Sequence, residues 1–351
     1  MVLFFNILIL LLSFYLLAIA CDRYFVGSLD KISERLKLSS DVAGATLMAI
    51  GSSAPEFFVV VFAVFRPGTH GEIGAGTIVG SALFNVLVII GAAAVVKKAI
   101  LTWQPVVRDT LFYVFAILAL LLTFQDGRVT LWEAAFLFGL YIFYIIAVIK
   151  WRKFLPYEDV EKIEEIEEKT LNKKKGFLAK ALQPFDFLLD KIFPKPEKYI
   201  SVFILSILVI SGLSYLLVES AIHISEILNI PASIIALTVL AAGTSIPDLL
   251  ASLVVAKQGR GDMAISNAIG SNIFDILFAL GAVWFFYMLF TGKEIMVSTE
   301  NLVSSVILLL ATVIVIFFLL LVRKWKIGHR AGYFLIVLYL AYVGWAIMQV
   351  L

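Results

Sequence analysis

The chain has 351 residues, 62% of them hydrophobic and only 15% charged, with a formal net charge of +2. A soluble domain of this length could not cover so much apolar surface, which excludes a soluble enzyme or a nucleic-acid-binding protein. The single cysteine, Cys21, excludes an intrachain disulfide.

Apolar runs long enough to cross a bilayer recur along the chain and predict ten spans. They lie at 2–20, 41–65, 72–95, 106–125, 130–149, 199–218, 231–256, 262–290, 300–322 and 331–351. The first run lacks a basic n-region and is longer than a secretory h-region, so it reads as a retained span. Lys and Arg accumulate in cytoplasmic loops. With the N-terminus outside, only Arg66, Arg128 and Lys293 fall outside, and the other 25 of the 28 cations fall inside. Both termini are therefore expected to be extracellular, in a multi-pass protein of the plasma membrane.

Spans 2–3 and 7–8 carry the same text. Thr46, Ala49, Gly51, Ser53 and Pro55 match Thr238, Ala241, Gly243, Ser245 and Pro247, and Glu56 matches Asp248. Gly80, Ser81, Phe84 and Gly91 match Gly270, Ser271, Phe274 and Gly281, and Asn85 matches Asp275. Five crossings separate the copies, and an odd number turns the second upside down. The expected fold is all-α: ten transmembrane helices as two inverted five-helix repeats, with helices 2 and 7 broken. Residues 1–150 form the first half (repeat motif at 41–95) and 199–351 the second (repeat motif at 231–290). Between them, 151–198 reads as a cytoplasmic loop, with a solvated Glu/Lys helix from Tyr157 to Lys175 and an amphipathic stretch from Phe177 to Phe193.

Glu56, Asp248 and Asp275 fall deep in their spans. An ionised carboxylate there costs ~2.5–3.5 kcal/mol on an insertion scale. With Arg108 assigned to a loop, no Lys, Arg or His is expected at that depth, so bound cations or protons must supply the counter-charge. Pro55 and Pro247 lack an N–H and crowd the carbonyls of Gly51 and Gly243, so each span should break just before its acid. The break frees carbonyls around Ala49–Ser52 and Ala241–Thr244. The hydroxyls of Ser52, Ser53, Thr244 and Ser245 cluster there, and Ser81, Asn85, Ser271 and Asn272 add oxygens from the partner spans. An all-oxygen site suits Ca²⁺, which takes about 6–8 oxygen ligands, better than Zn²⁺ or Mg²⁺. Two carboxylates balance one Ca²⁺ or two monovalent cations, which is the physical basis of exchange.

GSSAPE at 51–56 with GTIVGSALFN at 76–85, and GTSIPD at 243–248 with GDMAISNAIGSNIFD at 261–275, resemble the α-repeats of the cation/calcium exchangers. The branch most similar is that of the potassium-dependent sodium/calcium exchangers, on account of Asp248 and Asp275. The resemblance implies Ca²⁺/Na⁺ antiport by alternating access, with Ca²⁺, Na⁺ and in that branch K⁺ as transported ions and no organic cofactor. It implies Glu56 and Asp248 as central Ca²⁺ carboxylates, joined by Ser52, Ser53, Thr244 and Ser245. It implies Na⁺ sites at the Ala49 and Ala241 carbonyls with Ser81 and Ser271, and Asn85 and Asp275 lining the centre, Asp275 at the position linked to K⁺. Ca²⁺/H⁺ exchange stays open beside this, although a proton does not need so many hydroxyls. An intramembrane aspartyl protease is a remote alternative. Gly259-Arg260-Gly261-Asp262 fits its Gly-x-Gly-Asp element, but no Tyr-Asp pair occurs in the chain.

Overall fold

The structure, a computed structural model, describes residues 2–36, 49–66, 71–154, 189, 191–257, 259, 261–297 and 300–348. Residues 155–188 and 190 of the 151–198 loop, with the expected Glu/Lys helix from Tyr157 to Lys175 and most of the stretch from Phe177 to Phe193, and residues 41–48 of the second span lie outside them. Among the described residues, nine helices are long and apolar enough to cross a membrane, and a shorter apolar helix at Ala54–Phe65 makes a tenth element of the same kind.

Helix α1 (Val2–Ile19) runs through wide π-helical turns at Ala20–Val26 into α2 (Gly27–Leu36), so it continues well past the predicted end at 20. The second span comprises α3 (Ala49–Ser52) and α4 (Ala54–Phe65). The third comprises α5 (Gly71–Phe84), a π-helical stretch at Asn85–Ile89, and α6 (Ile90–Val96). Next come α7 (Trp103–Thr123) and α8 (Leu131–Phe154). The start of α8 is a capping box: the Thr130 amide donates to Glu133 Oε2 at 2.8 Å, and the Glu133 amide donates to Thr130 Oγ1 at 3.4 Å.

The second half repeats the plan. It opens with α9 (Tyr199–Leu228), followed by α10 (Ala232–Ile235), a π-helical stretch at Ala236–Leu240, α11 (Ala241–Thr244) and α12 (Ile246–Lys257). Then come α13 (Gly261–Phe274), a π-helical stretch at Asp275–Leu280, α14 (Gly281–Thr291), α15 (Glu300–Val322) and α16 (His329–Met348).

Helix α9 extends ten residues beyond its predicted end at 218. Glu219, the first residue past that end, pairs with Arg66 just past the α4 C-terminus at 3.2 Å, which offsets the cost of carrying its charge into the longer helix. The helix stops where Asn229 turns left-handed, at φ 55°. Arg108 departs from expectation too. It is buried on α7, not in a loop, and forms a bidentate pair with Asp109 at 2.7 and 3.0 Å, with Tyr144 donating to the same acid at 3.2 Å.

Two short ladders record the inverted symmetry. Strand β1 (Ala99–Ile100), after the third span, pairs antiparallel with β4 (Lys326–Ile327), before the tenth. Strand β2 (Arg128–Val129), after the fourth span, pairs with β3 (Ile295–Met296), before the ninth. Shifting each strand by five spans turns one ladder into the other. Each ladder thus ties the first half to the second at one end of the bundle.

The main core joins α5–α8 to α13–α16, while α1 lies along α9 on its flank, with Leu10, Phe14 and Leu17 against Leu217, Val218 and Ala221. Close backbone approach holds the repeats together at the centre. A Cβ on Gly80 would collide with the Leu237 carbonyl, and one on Gly76 would sit 3.2 Å from the Ser233 carbonyl oxygen. These glycines therefore let α5 seat against the second repeat. The run Gly74-Ala75-Gly76, which superficially resembles a nucleotide loop, lies inside a helix.

Candidate cation-binding site

Both proline-bearing spans break at one residue. Ser53 (φ −90°, ψ 8°) separates α3 from α4, and Ser245 (φ −82°, ψ 4°) separates α11 from α12. Each adopts the bridge conformation found at turns and active sites. The prolines sit two residues further on, so Glu56 and Asp248 lie in the first turn of the resumed helix. Anionic groups are favoured there, by ~0.3–1 kcal/mol, because the helix N-terminus carries a partial positive charge. Of the carbonyls left without a helical N–H by the prolines, that of Gly51 accepts from Cys21 Sγ at 2.9 Å. The Ala49 and Ala241 carbonyls each accept a backbone N–H, from Ser53 at 3.0 Å and Ser245 at 3.3 Å, so one lone pair on each is already engaged.

Glu56, Asp248, Asp275, Asn85, Ser53, Ser81, Thr244, Ser245 and Ser271 are all fully buried, and Ser52 is 5% exposed. The repeats cross-link through hydroxyls. Ser53 bonds Ser271, and its symmetry mate Ser245 bonds Ser81 at 2.7 Å. Ser245 also donates to Glu56 Oε1 at 3.2 Å, and Ser81 lies 3.5 Å from the same oxygen. On the other side, Ser271 and Asn85 Nδ2 donate to Asp248 Oδ2 at 2.8 and 3.3 Å. Ser52 faces Asp248, and Thr244 faces Glu56 while donating its own proton to the Leu240 carbonyl at 3.0 Å.

This leaves Glu56 Oε2, Asp248 Oδ1, Asn85 Oδ1 and both oxygens of Asp275 buried without a hydrogen-bond donor among the described residues. Unpartnered buried acceptors are costly, ~1–3 kcal/mol each and more when charged. They therefore mark a place where something positive completes the structure. No three His, Cys, Asp or Glu among the described residues gather closely enough to hold a metal alone. The acids are instead interleaved with hydroxyl and amide oxygens, a mixed set suited to hard cations.

Sequence reasoning brought this group together but missed three features. Asn85 and Asp275 each open a π-helical stretch, at Asn85–Ile89 and Asp275–Leu280, and such wide turns recur at functional sites. Periodicity over so short a stretch carries no sign of them. Tyr113 of α7, outside both repeats, meets Asn272 at 2.9 Å. Burial of Arg108 was signalled only by the adjacent Asp109. The one acid of the protease-like element, Asp262, lies in the first turn of α13, 13 residues before Asp275 in the chain.

Two inverted halves with broken helices facing a buried, carboxylate-rich centre define a secondary transporter of cations. A family model described as sodium/calcium exchanger protein matches residues 6–150 and 198–348. Human sodium/potassium/calcium exchanger 4 is 31% identical over 504 aligned residues, covering 98% of this chain and 81% of the relative. Human sodium/potassium/calcium exchanger 5 is 32% identical over 420, covering 98% and 82%. Among solved structures, the chain resembles an H⁺/Ca²⁺ exchanger with a TM-score of 0.72 at 15% identity, covering 96% of this chain and 81% of that one. It also resembles the sodium-calcium exchanger NCX_Mj, with a TM-score of 0.62 at 23% identity, covering 97% and 99%. The chain belongs to the sodium/calcium exchanger family. It is a transporter and not an enzyme, so the protease alternative falls.

Proposed function

We propose that this protein exports Ca²⁺ across the plasma membrane in exchange for Na⁺ by alternating access, with K⁺ carried beside Ca²⁺ at Asp275. The observation that carries this reading is the set of orphaned buried oxygens on Glu56, Asp248, Asn85 and Asp275. Glu56 and Asp248 hold Ca²⁺, with Ser52, Ser53, Thr244 and Ser245 completing its shell. Two Na⁺ ions balance the same charge through the Ala49 and Ala241 carbonyls with Ser81 and Ser271, so the two cargoes exclude each other. Hydroxyl pairs across the repeat interface favour Na⁺ over H⁺ as the driving ion, since a proton needs one oxygen and Na⁺ needs several. The names of the relatives, sodium/potassium/calcium exchangers, support K⁺ as a third ion. The asymmetric distribution of Lys and Arg supports extracellular termini and a cytoplasmic 151–198 loop.

The test is uptake of radioactive Ca²⁺ into proteoliposomes loaded with Na⁺ and diluted into Na⁺-free medium, with and without K⁺. Uptake that needs internal Na⁺ and rises with K⁺ is expected. Uptake driven only by a pH gradient overturns Na⁺ coupling, and Na⁺-driven uptake indifferent to K⁺ removes K⁺ from the cycle.

A further inference from the structure

Asn85 faces two neighbours with one amide, and which end of that amide meets the cation is decided elsewhere. The Ala82 carbonyl can only accept a hydrogen bond, so the Asn272 atom 3.3 Å from it must be the donor Nδ2. The same Nδ2 donates to the Tyr113 hydroxyl at 2.9 Å. Asn272 Oδ1 is thereby turned toward Asn85, and it accepts from Asn85 Nδ2 at 2.9 Å. The second proton of that Nδ2 goes to Asp248 Oδ2 at 3.3 Å. Both amide protons are then used, and Asn85 Oδ1, buried and without a donor among the described residues, is left as the end that can meet a cation.

We infer that Tyr113 is a positioning residue for ion binding: the Ala82 carbonyl sets the orientation of Asn272, Tyr113 holds that amide in place at the shorter distance, and through Asn272 the Asn85 amide is kept with its carbonyl oxygen presented to the cation. With the Asp248 bond alone to hold it, Asn85 would turn its NH₂ group toward the ion more often and repel it. Tyr113 is suited to the task because it is 1% exposed on α7, so its ring is held by packing while its oxygen accepts from Asn272. The first repeat has Ala82 where the second has Asn272, so the lock exists once and makes the two halves chemically unequal. Tyr113 lies on neither repeat motif, which ties α7 to the ion site. This inference rests on the exchange reading above.

The experiment is Ca²⁺ binding by titration calorimetry, with Na⁺-driven Ca²⁺ exchange in parallel, on wild type, Tyr113→Phe, Asn85→Ala and the double variant. Tyr113→Phe removes one oxygen and is expected to weaken Ca²⁺ binding, raising KM about fivefold with little change in the maximal rate. In the Asn85→Ala background it should add nothing, because no amide remains to orient. Equal Ca²⁺ affinity in Tyr113→Phe and wild type overturns the inference, as does a Tyr113 effect that persists undiminished on Asn85→Ala. Should Tyr113→Phe not purify as a monodisperse species, Asn272→Ser on the wild-type and Asn85→Ala backgrounds carries the test, because a serine is too short to hold Asn85, and a loss that persists undiminished on Asn85→Ala overturns the inference. A wild type that neither binds nor exchanges Ca²⁺ would instead sink the exchange reading itself.

Discussion

At the scale of single residues, the site balances a desolvation cost against a cargo. Glu56, Asp248 and Asp275 are fully buried, and each ionised carboxylate is costly in a bilayer. Hydroxyl and amide donors satisfy one oxygen of Glu56 and one of Asp248, and in the proposed cycle a cation meets the oxygens left without a donor among the described residues. Replacing Glu56 by Gln or Asp248 by Asn keeps the shape and the hydroxyl bonds but removes the charge that pays for Ca²⁺. Either change should lower Ca²⁺ exchange by at least about 100-fold, what ~3 kcal/mol amounts to. It should also abolish the rise in melting temperature that Ca²⁺ gives the wild type by mass action, with the protein still folded. Retained exchange in either variant would remove that acid from the site. Of the three acids, Asp275 is the one with neither oxygen within hydrogen-bonding geometry of a donor among the described residues. Asp275→Asn is expected to abolish the K⁺ stimulation of exchange and leave Na⁺/Ca²⁺ exchange running. An unchanged K⁺ requirement would place K⁺ elsewhere.

At the scale of elements, the broken spans decide whether these residues meet at all. The Pro–acid pairs were legible because proline removes a donor at a known position, and the structure breaks each helix two residues before it, at Ser53 and Ser245. The carbonyls proved harder to read. Sequence shows which ones lose a helical N–H but not which other group takes its place, and only the tertiary approach of Cys21 reveals that the Gly51 oxygen is engaged. The π-helical turns at Asn85 and Asp275 were invisible for a related reason, since they change hydrogen-bond register without changing composition. Restoring the missing donor tests the break. Pro247→Ala supplies an N–H that can bond the Gly243 carbonyl and straighten α11 into α12, which should raise the melting temperature while slowing exchange about tenfold. A variant with unchanged stability and full exchange would show that the break does not depend on the proline.

At the scale of the whole molecule, the inverted repeat was legible because two motifs separated by an odd number of spans must face opposite ways. What the sequence could not disclose were the two-residue ladders, too short to leave any pattern. They are the firmest geometric record of the symmetry, since β1–β4 and β2–β3 exchange under the same operation that exchanges Glu56 with Asp248. The operation also sets the ladders at opposite ends of the bundle, and the distribution of Lys and Arg says which end faces the cytoplasm. Loops carrying Lys97, Lys98, Lys324 and Lys326 flank β1–β4, while Arg128 and Lys293 are the cations beside β2–β3. Ile100 and Met296 are exposed, 66% and 48%, one on each ladder, and so report on the two faces. In a Cys21→Ser background, where serine can still donate to the Gly51 carbonyl, single cysteines at these positions should behave oppositely. Met296→Cys should react with a membrane-impermeant maleimide added to intact cells, and Ile100→Cys should react only after the membrane is opened. The reverse pattern would place the termini in the cytoplasm and invert the proposed direction of transport relative to the bundle. Labelling of both from outside would break the inverted arrangement itself, because the two ladders could then not lie on opposite faces.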